Sequence, residues 1–172
     1  KEILATIGNY SIYKEDLVSE AELYHPAYRK TITKEEMLND LIKKKIMLME
    51  AQRQDLMRRW GPPPGRFLVW ENAGKKFIVI PRIDLGNVVL LPQPLRGEAH
   101  DTSLVHDRAV PPPHNYLATY FWMQEEFKAD AMFHFGTHGS EFALPVKSVG
   151  LAETDWTDII MGSIPNINPW VI

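Results

Sequence analysis

Cysteine is absent from the 172-residue chain. That removes disulfides, thiolate metal ligands and cysteine nucleophiles. It leaves the compartment open, because reducing and oxidising compartments both hold cysteine-free proteins. A strong excess of one charge is also absent: the formal net charge is −3, so no global basic field draws the chain to nucleic acid or anionic lipid. No apolar run approaches the roughly 20 residues of a membrane span, and no secretory leader is legible. The chain opens on Lys1 instead of methionine, which reads as a processed or excised piece. What is present, 45% hydrophobic and 24% charged residues, is the make-up of a globular chain of one domain or two small ones.

Proline is plentiful but unevenly placed. Of thirteen prolines only Pro26 precedes Trp60, and this shift predicts a boundary near Leu56-Met57. Before it the chain reads as helical after an extended start. Ile3 to Ile7 predicts a strand and Gly8-Asn9 a turn, and Ser11 is placed to cap a helix reaching about Leu23. Thr33-Lys34-Glu35-Glu36 fits a capping box, and Leu38, Leu41, Ile42, Ile46 and Met49 recur at helical spacing to about Ala51. Lys43-Lys44-Lys45 reads as a solvated face.

After the boundary, Arg58 to Gly65 reads as a rigid loop. Phe67 to Glu71 and Phe77 to Ile80 predict a hairpin around Asn72-Ala73-Gly74, and Asn87 to Leu91 a further strand. Pro111-Pro112-Pro113 stiffens the entry to a helix from Asn115 to Lys128, with Tyr116, Tyr120, Met123 and Phe127 on one face. Ala131 to Phe135 predicts a buried strand, Asp155 to Met161 a short helix, and Ile164 to Ile172 an extended segment. Helix, strand and glycine loop form an α/β unit, and ligands collect beyond the carboxyl end of such strands. That loop is Phe135-Gly136-Thr137-His138-Gly139, followed by Glu141 and Lys147. Glycines let backbone approach a ligand closely, and histidine with glutamate is suited to moving protons or holding metal near neutral pH.

Several blocks occur in a characteristic order. They are Trp60-Gly61-Pro62-Pro63-Pro64-Gly65; Gly86-Asn87-Val88 with Pro92-Gln93-Pro94 and Arg96-Gly97; Pro112-Pro113-His114-Asn115-Tyr116; Phe127-Lys128-Ala129-Asp130-Ala131; His134 to Ser140; and Gly162-Ser163-Ile164-Pro165-Asn166. On these, residues 60–172 resemble the large-subunit family of tetrapyrrole metal chelatases, comprising the cobaltochelatase large subunit, the magnesium chelatase H subunit and haem-directed relatives. Family members are very large, so the resemblance implies an internal fragment. The family motif runs His-Gly-Ser/Thr-Leu-Glu-aromatic, whereas here Glu141 stands one place early and Val146 replaces the glycine before Lys147. Residues 1–56 resemble the amino-terminal segment of SurA-like chaperones and foldases. The fold class expected is therefore mixed α/β: a helical segment, 1–57, followed by an α/β chelatase-like fragment, 58–172.

The resemblance implies binding of a porphyrin, corrin or haem and insertion or removal of a divalent metal (Co, Mg or Fe), with ATP acting only through partner AAA+ ATPase subunits. His138 and Glu141 are the implied catalytic pair, and His134, His138 and Glu141 the implied metal ligands. Arg96, His114 and Lys147 are the implied tetrapyrrole-binding residues. Each has a plainer reading. His134 in a strand is either a helper or a packed, hydrogen-bonded side chain. Arg96 pairs with a ring propionate or with a structural acid, His114 lines the pocket or opens a helix, and Lys147 faces the propionates or solvent. His100 and His106, each beside an aspartate, read as surface loop residues. The alternative function is a chaperone-like peptide-binding module led by residues 1–56. Compartment follows the branch: cytoplasm for a cobalt or magnesium chelatase, periplasm or cell envelope for a haem-directed or SurA-like protein. No nucleic acid and no membrane span enter either reading.

Overall fold

The computed structural model describes residues 2–8, 10–23, 29, 31–97, 102–135, 143–145, 147, 150–152 and 154–169. The chain divides into two compact units, Lys1–Arg53 and Gln54–Ile172.

In the first unit β1 (Ile3–Ile7) pairs antiparallel with β2 (Tyr10–Tyr13), and Ile12 is fully buried. The helix α1 (Lys14–Leu23) follows directly. Ser11 does not cap it, because Ser11 lies within the hairpin opposite Thr6. The carboxylate Oδ2 of Asp16 takes that place, accepting the Tyr13 N–H at 2.7 Å. The long helix α2 (Lys34–Trp60) opens with the predicted capping box. The Thr33 hydroxyl oxygen accepts the Glu36 N–H at 3.2 Å, and Glu36 Oε2 accepts the Thr33 N–H at 2.8 Å.

The buried stripe of α2 is Met37, Leu41 and Lys45, while Ile46 is exposed. The solvated-face reading therefore fails at Lys45, which is 8% exposed. Its four-carbon stem fills the next position of the i, i+4 stripe. Lys44 pairs with buried Glu20 and Lys43 with Asp40. The helix also runs past Ala51, because Gln52, Arg53, Gln54, Leu56, Met57, Arg58 and Arg59 are unbranched or γ-branched residues that lose little on entering a helix. It stops at Gly61, whose φ of 76° suits the residue beyond a helix end and whose N–H reaches back to Met57 O at 2.9 Å.

The second unit begins with two antiparallel hairpins. The first, β3 (Val69–Asn72) with β4 (Lys75–Ile78), turns at Ala73 and Gly74, both at positive φ, as a type I′ turn requires. The second, β5 (Ile83–Leu85) with β6 (Val88–Leu90), turns at Gly86. The β5 strand has no counterpart among the sequence expectations, since three residues just after Pro81 give no usable alternation. The helix α3 (His114–Phe121) starts after Pro113 as expected. At Trp122 it widens into a π turn, Trp122–Glu126, and the Phe127 N–H donates to Trp122 O at 2.9 Å. The strand β7 (Met132–Phe133) then pairs in parallel with β8 (Asn166–Ile167), and α4 (Trp156–Met161) lies between them in sequence. That is a small βαβ unit, so the class is mixed α/β.

The core of this unit gathers Tyr116, Tyr120 and Met123 with Leu144, Trp156 and Ile160. Fully burying a side chain such as Leu144 or Ile160 contributes about 1.5–3 kcal/mol. Gln124, inside the π turn, donates to Ile160 O at 2.7 Å and so ties that turn to α4.

Candidate functional site

The strand β7 is shorter and more open than expected. Met132 is buried, but Phe133 is 55% and Phe135 82% exposed. Its one described neighbour leaves an edge of β7 unpaired, and residues 131–135 border a cavity of about 850 Å³. This volume is within the range of small-molecule sites, about 300–1,000 Å³. Two sequence blocks that are far apart in the chain form its walls: 86–94 from the β5–β6 hairpin and its exit, and 127–135 from the π-turn exit through β7. Tyr120 and Met123 also line it. π turns recur at functional sites because they displace side chains from the regular helical register. Here the displaced stretch ends in Lys128, held at φ 54°, a conformation that non-glycine residues adopt rarely.

His134 lines the cavity at the carboxyl end of β7. Its N–H donates to Ile167 O at 2.9 Å, and its ring stacks on Tyr120 with centroids 6.4 Å apart and an interplanar angle of 17°. Tyr120 is itself held by Gln93. The side-chain amide of Gln93 donates to both Tyr116 and Tyr120 hydroxyl oxygens at 3.2 Å. Gln93 sits between Pro92 and Pro94, which fix its backbone. Sequence reasoning overlooked Gln93 as a site residue. The available signal was a lone polar side chain inside a Pro-x-Pro segment of a family block.

Of the other expected site residues, Arg96, His114 and Lys147 do not line this cavity. Arg96 is buried and lies outside the cavity lining. Its guanidinium donates to the carbonyls of Ala143, Asp107 and Val110 at 3.3, 3.1 and 2.9 Å and lies over the Tyr116 ring. Burial lowers its pKa, and the nearby Tyr116 and Asp107 act in the opposite sense. His114 is also buried, and its Nε2 lies 2.9 Å from Gly61 O. A carbonyl can only accept, so that nitrogen carries the proton. Lys147 is exposed. His138 and Glu141 lie outside the described residues, as does His100. Among the described residues no cluster of three or more metal-binding side chains occurs, and no helix is long and apolar enough to cross a membrane.

The two blocks facing each other across the cavity are among those carrying the family resemblance, and a family model described as CobN/Magnesium Chelatase matches residues 22–172. The chain belongs to the CobN/magnesium chelatase family. It is 37% identical over 143 residues to the aerobic cobaltochelatase subunit CobN of Pseudomonas aeruginosa, a match covering 78% of this chain and 11% of that protein. It is 34% identical over 115 residues to the magnesium-chelatase H subunit of Rhodobacter capsulatus, covering 66% and 9%. The solved catalytic subunit of cobaltochelatase from Mycobacterium tuberculosis superposes with a TM-score of 0.59 at 35% identity, over 69% of this chain and 11% of that one. The chain thus spans about a tenth of the length of these relatives. The family match takes in all of α2 and most of residues 1–56, and the chaperone reading of that segment finds no support among these relatives.

Proposed function

We propose that this chain forms part of the tetrapyrrole cleft of a chelatase large subunit, with the cavity beside β7 as the portion of the cleft it contributes. The observation that carries the reading is the meeting of blocks 86–94 and 127–135 around one cavity at the carboxyl end of a parallel strand. The apolar and aromatic surface of Leu90, Tyr120, Phe133 and Phe135 suits the face of a flat conjugated macrocycle. His134 adds an imidazole at the same place, four residues before His138 and seven before Glu141 in the sequence.

Metal exchange at a tetrapyrrole is a competition. The ion and the pyrrole protons need the same nitrogen lone pairs, so insertion must remove two protons and extraction must return them. Side chains with pKa values near neutrality do this best. In this reading His138 and Glu141 accept or return those protons, and His134 with them holds the ion in transit. The ion, cobalt, magnesium or iron, is substrate. An ATPase partner of the AAA+ type would drive the reaction in the whole subunit.

The test is titration of the 172-residue chain with a metal-free dicarboxylate porphyrin, read at the Soret band. A saturable shift is expected, weakened about tenfold, or about 1.4 kcal/mol, by His134→Ala and by His138→Ala. The reading fails if the wild-type chain gives no saturable shift, or if both variants bind as the wild type does.

A further inference from the structure

The Trp60–Gly65 block does not touch the cavity beside β7. It lines a separate pocket of about 430 Å³ together with Arg59, Arg66 and Lys76. We propose that this second pocket is a binding site for a small multivalent oxyanion, of the phosphate or polycarboxylate type.

Three observations lead there. First, the pocket wall is fixed in place. The Trp60 indole N–H donates to Pro111 O at 2.8 Å, His114 holds the Gly61 carbonyl, and the Gly65 N–H closes a turn onto Pro62 O at 3.0 Å. Gly65 packs so closely on the His114 ring that an added Cβ would lie 2.9 Å from its Cδ2. The loop therefore has little room to collapse into the pocket.

Second, the charges around it are of one sign. Arg59, Arg66 and Lys76 line the pocket and no carboxylate does. None of the three makes an ion pair among the described residues, although Glu71 stands opposite Lys76 in the hairpin register. This does not follow from composition, since the chain as a whole carries −3. Three like charges gathered around one concavity repel each other, and a bound anion relieves that repulsion.

Third, two of the cations are oriented. The Arg59 guanidinium lies over the Trp60 ring, 5.1 Å from its centroid, and Arg66 lies over Phe67 at 5.8 Å. The two rings meet edge to face at 5.6 Å. Stacking on this pair limits the rotamers of both arginines, so less entropy is lost when they close on an oxyanion. Two guanidinium forks and an ammonium offer more donors than a single carboxylate can accept, which points to a polyvalent anion.

The experiment is an NMR titration of the full chain with inorganic pyrophosphate and, separately, with citrate. Saturable shifts of the Gly61, Gly65 and Arg66 amides are expected, weakening as salt is raised. A response to pyrophosphate alone assigns the site to phosphates, and a response to citrate alone assigns it to clustered carboxylates. Arg59→Ala/Arg66→Ala should weaken binding by roughly tenfold or more per guanidinium, and Lys76→Met, on an exposed strand, should weaken it less. Arg59→Lys/Arg66→Lys keeps the charge and should recover part of the loss. Absence of saturable shifts with both anions, or undiminished binding by both the double alanine variant and Lys76→Met, overturns the proposal.

Discussion

Arg96 shows how a residue type that invites a ligand can be used internally. Its position in a family block and its guanidinium imply a propionate partner, yet the folded chain directs its N–H groups to three backbone carbonyls. It thereby joins residues 107–110 to Ala143. No local sequence signal distinguishes the two uses, because what decides is the distance of Arg96 from carbonyls 11, 14 and 47 residues away. Truncation should be costly: Arg96→Ala leaves buried carbonyls without donors and is expected to destabilise the second unit by about 3 kcal/mol, measured by urea denaturation. Lys128 should behave oppositely. At φ 54° its side chain crowds its own backbone, so Lys128→Gly is expected to raise stability by up to about 1 kcal/mol in the same assay. Gly162 belongs with the costly class. Its φ is 55° and an added Cβ would collide with Gln124 Oε1, so Gly162→Ala should destabilise by more than about 1 kcal/mol.

Elements were legible where a local signal is complete. The capping box at Thr33, the hairpin at Ala73-Gly74 and the helix behind Pro113 each carry their own start or turn chemistry, and each forms as the residues predict. Misreadings occurred where the local signal was incomplete: Ser11 is claimed by pairing with Thr6, α2 outruns its apolar pattern, and the π turn leaves no mark in composition. The capping box has a pH signature. The Thr33 backbone N–H and then its hydroxyl stabilise the charged form of Glu36, lowering its pKa. Because the folded value lies below the unfolded one, this contribution is complete above the ordinary glutamate value and is lost as pH falls through the depressed one. Thermal melts from neutral to acid pH should show a decline in this range that is smaller in Thr33→Ala. That variant should also lose about 1 kcal/mol at neutral pH.

At the scale of the whole molecule, family and fold class were legible because ordered blocks tolerate substitution between them. The cavity was not, since it exists only where 86–94 meets 127–135. The hairpins leave Trp70, Ile83, Leu85, Val88 and Leu90 more than half exposed, and exposed apolar side chains of this size attract other apolar surfaces. The chain alone should therefore bind a hydrophobic dye, and Trp70→Glu with Leu85→Glu should reduce the signal without loss of circular dichroism. The wide winding of residues 122–126 also bears on tolerance to a change in chain length. The π turn takes up one residue more than an α turn, so an in-frame loss of a single codon there would return the segment to ordinary α-helical winding and leave residues 127 onward nearly in phase. The shortened protein would gain regular intrahelical bonds and keep Phe127 and Lys128 in the wall of the cavity.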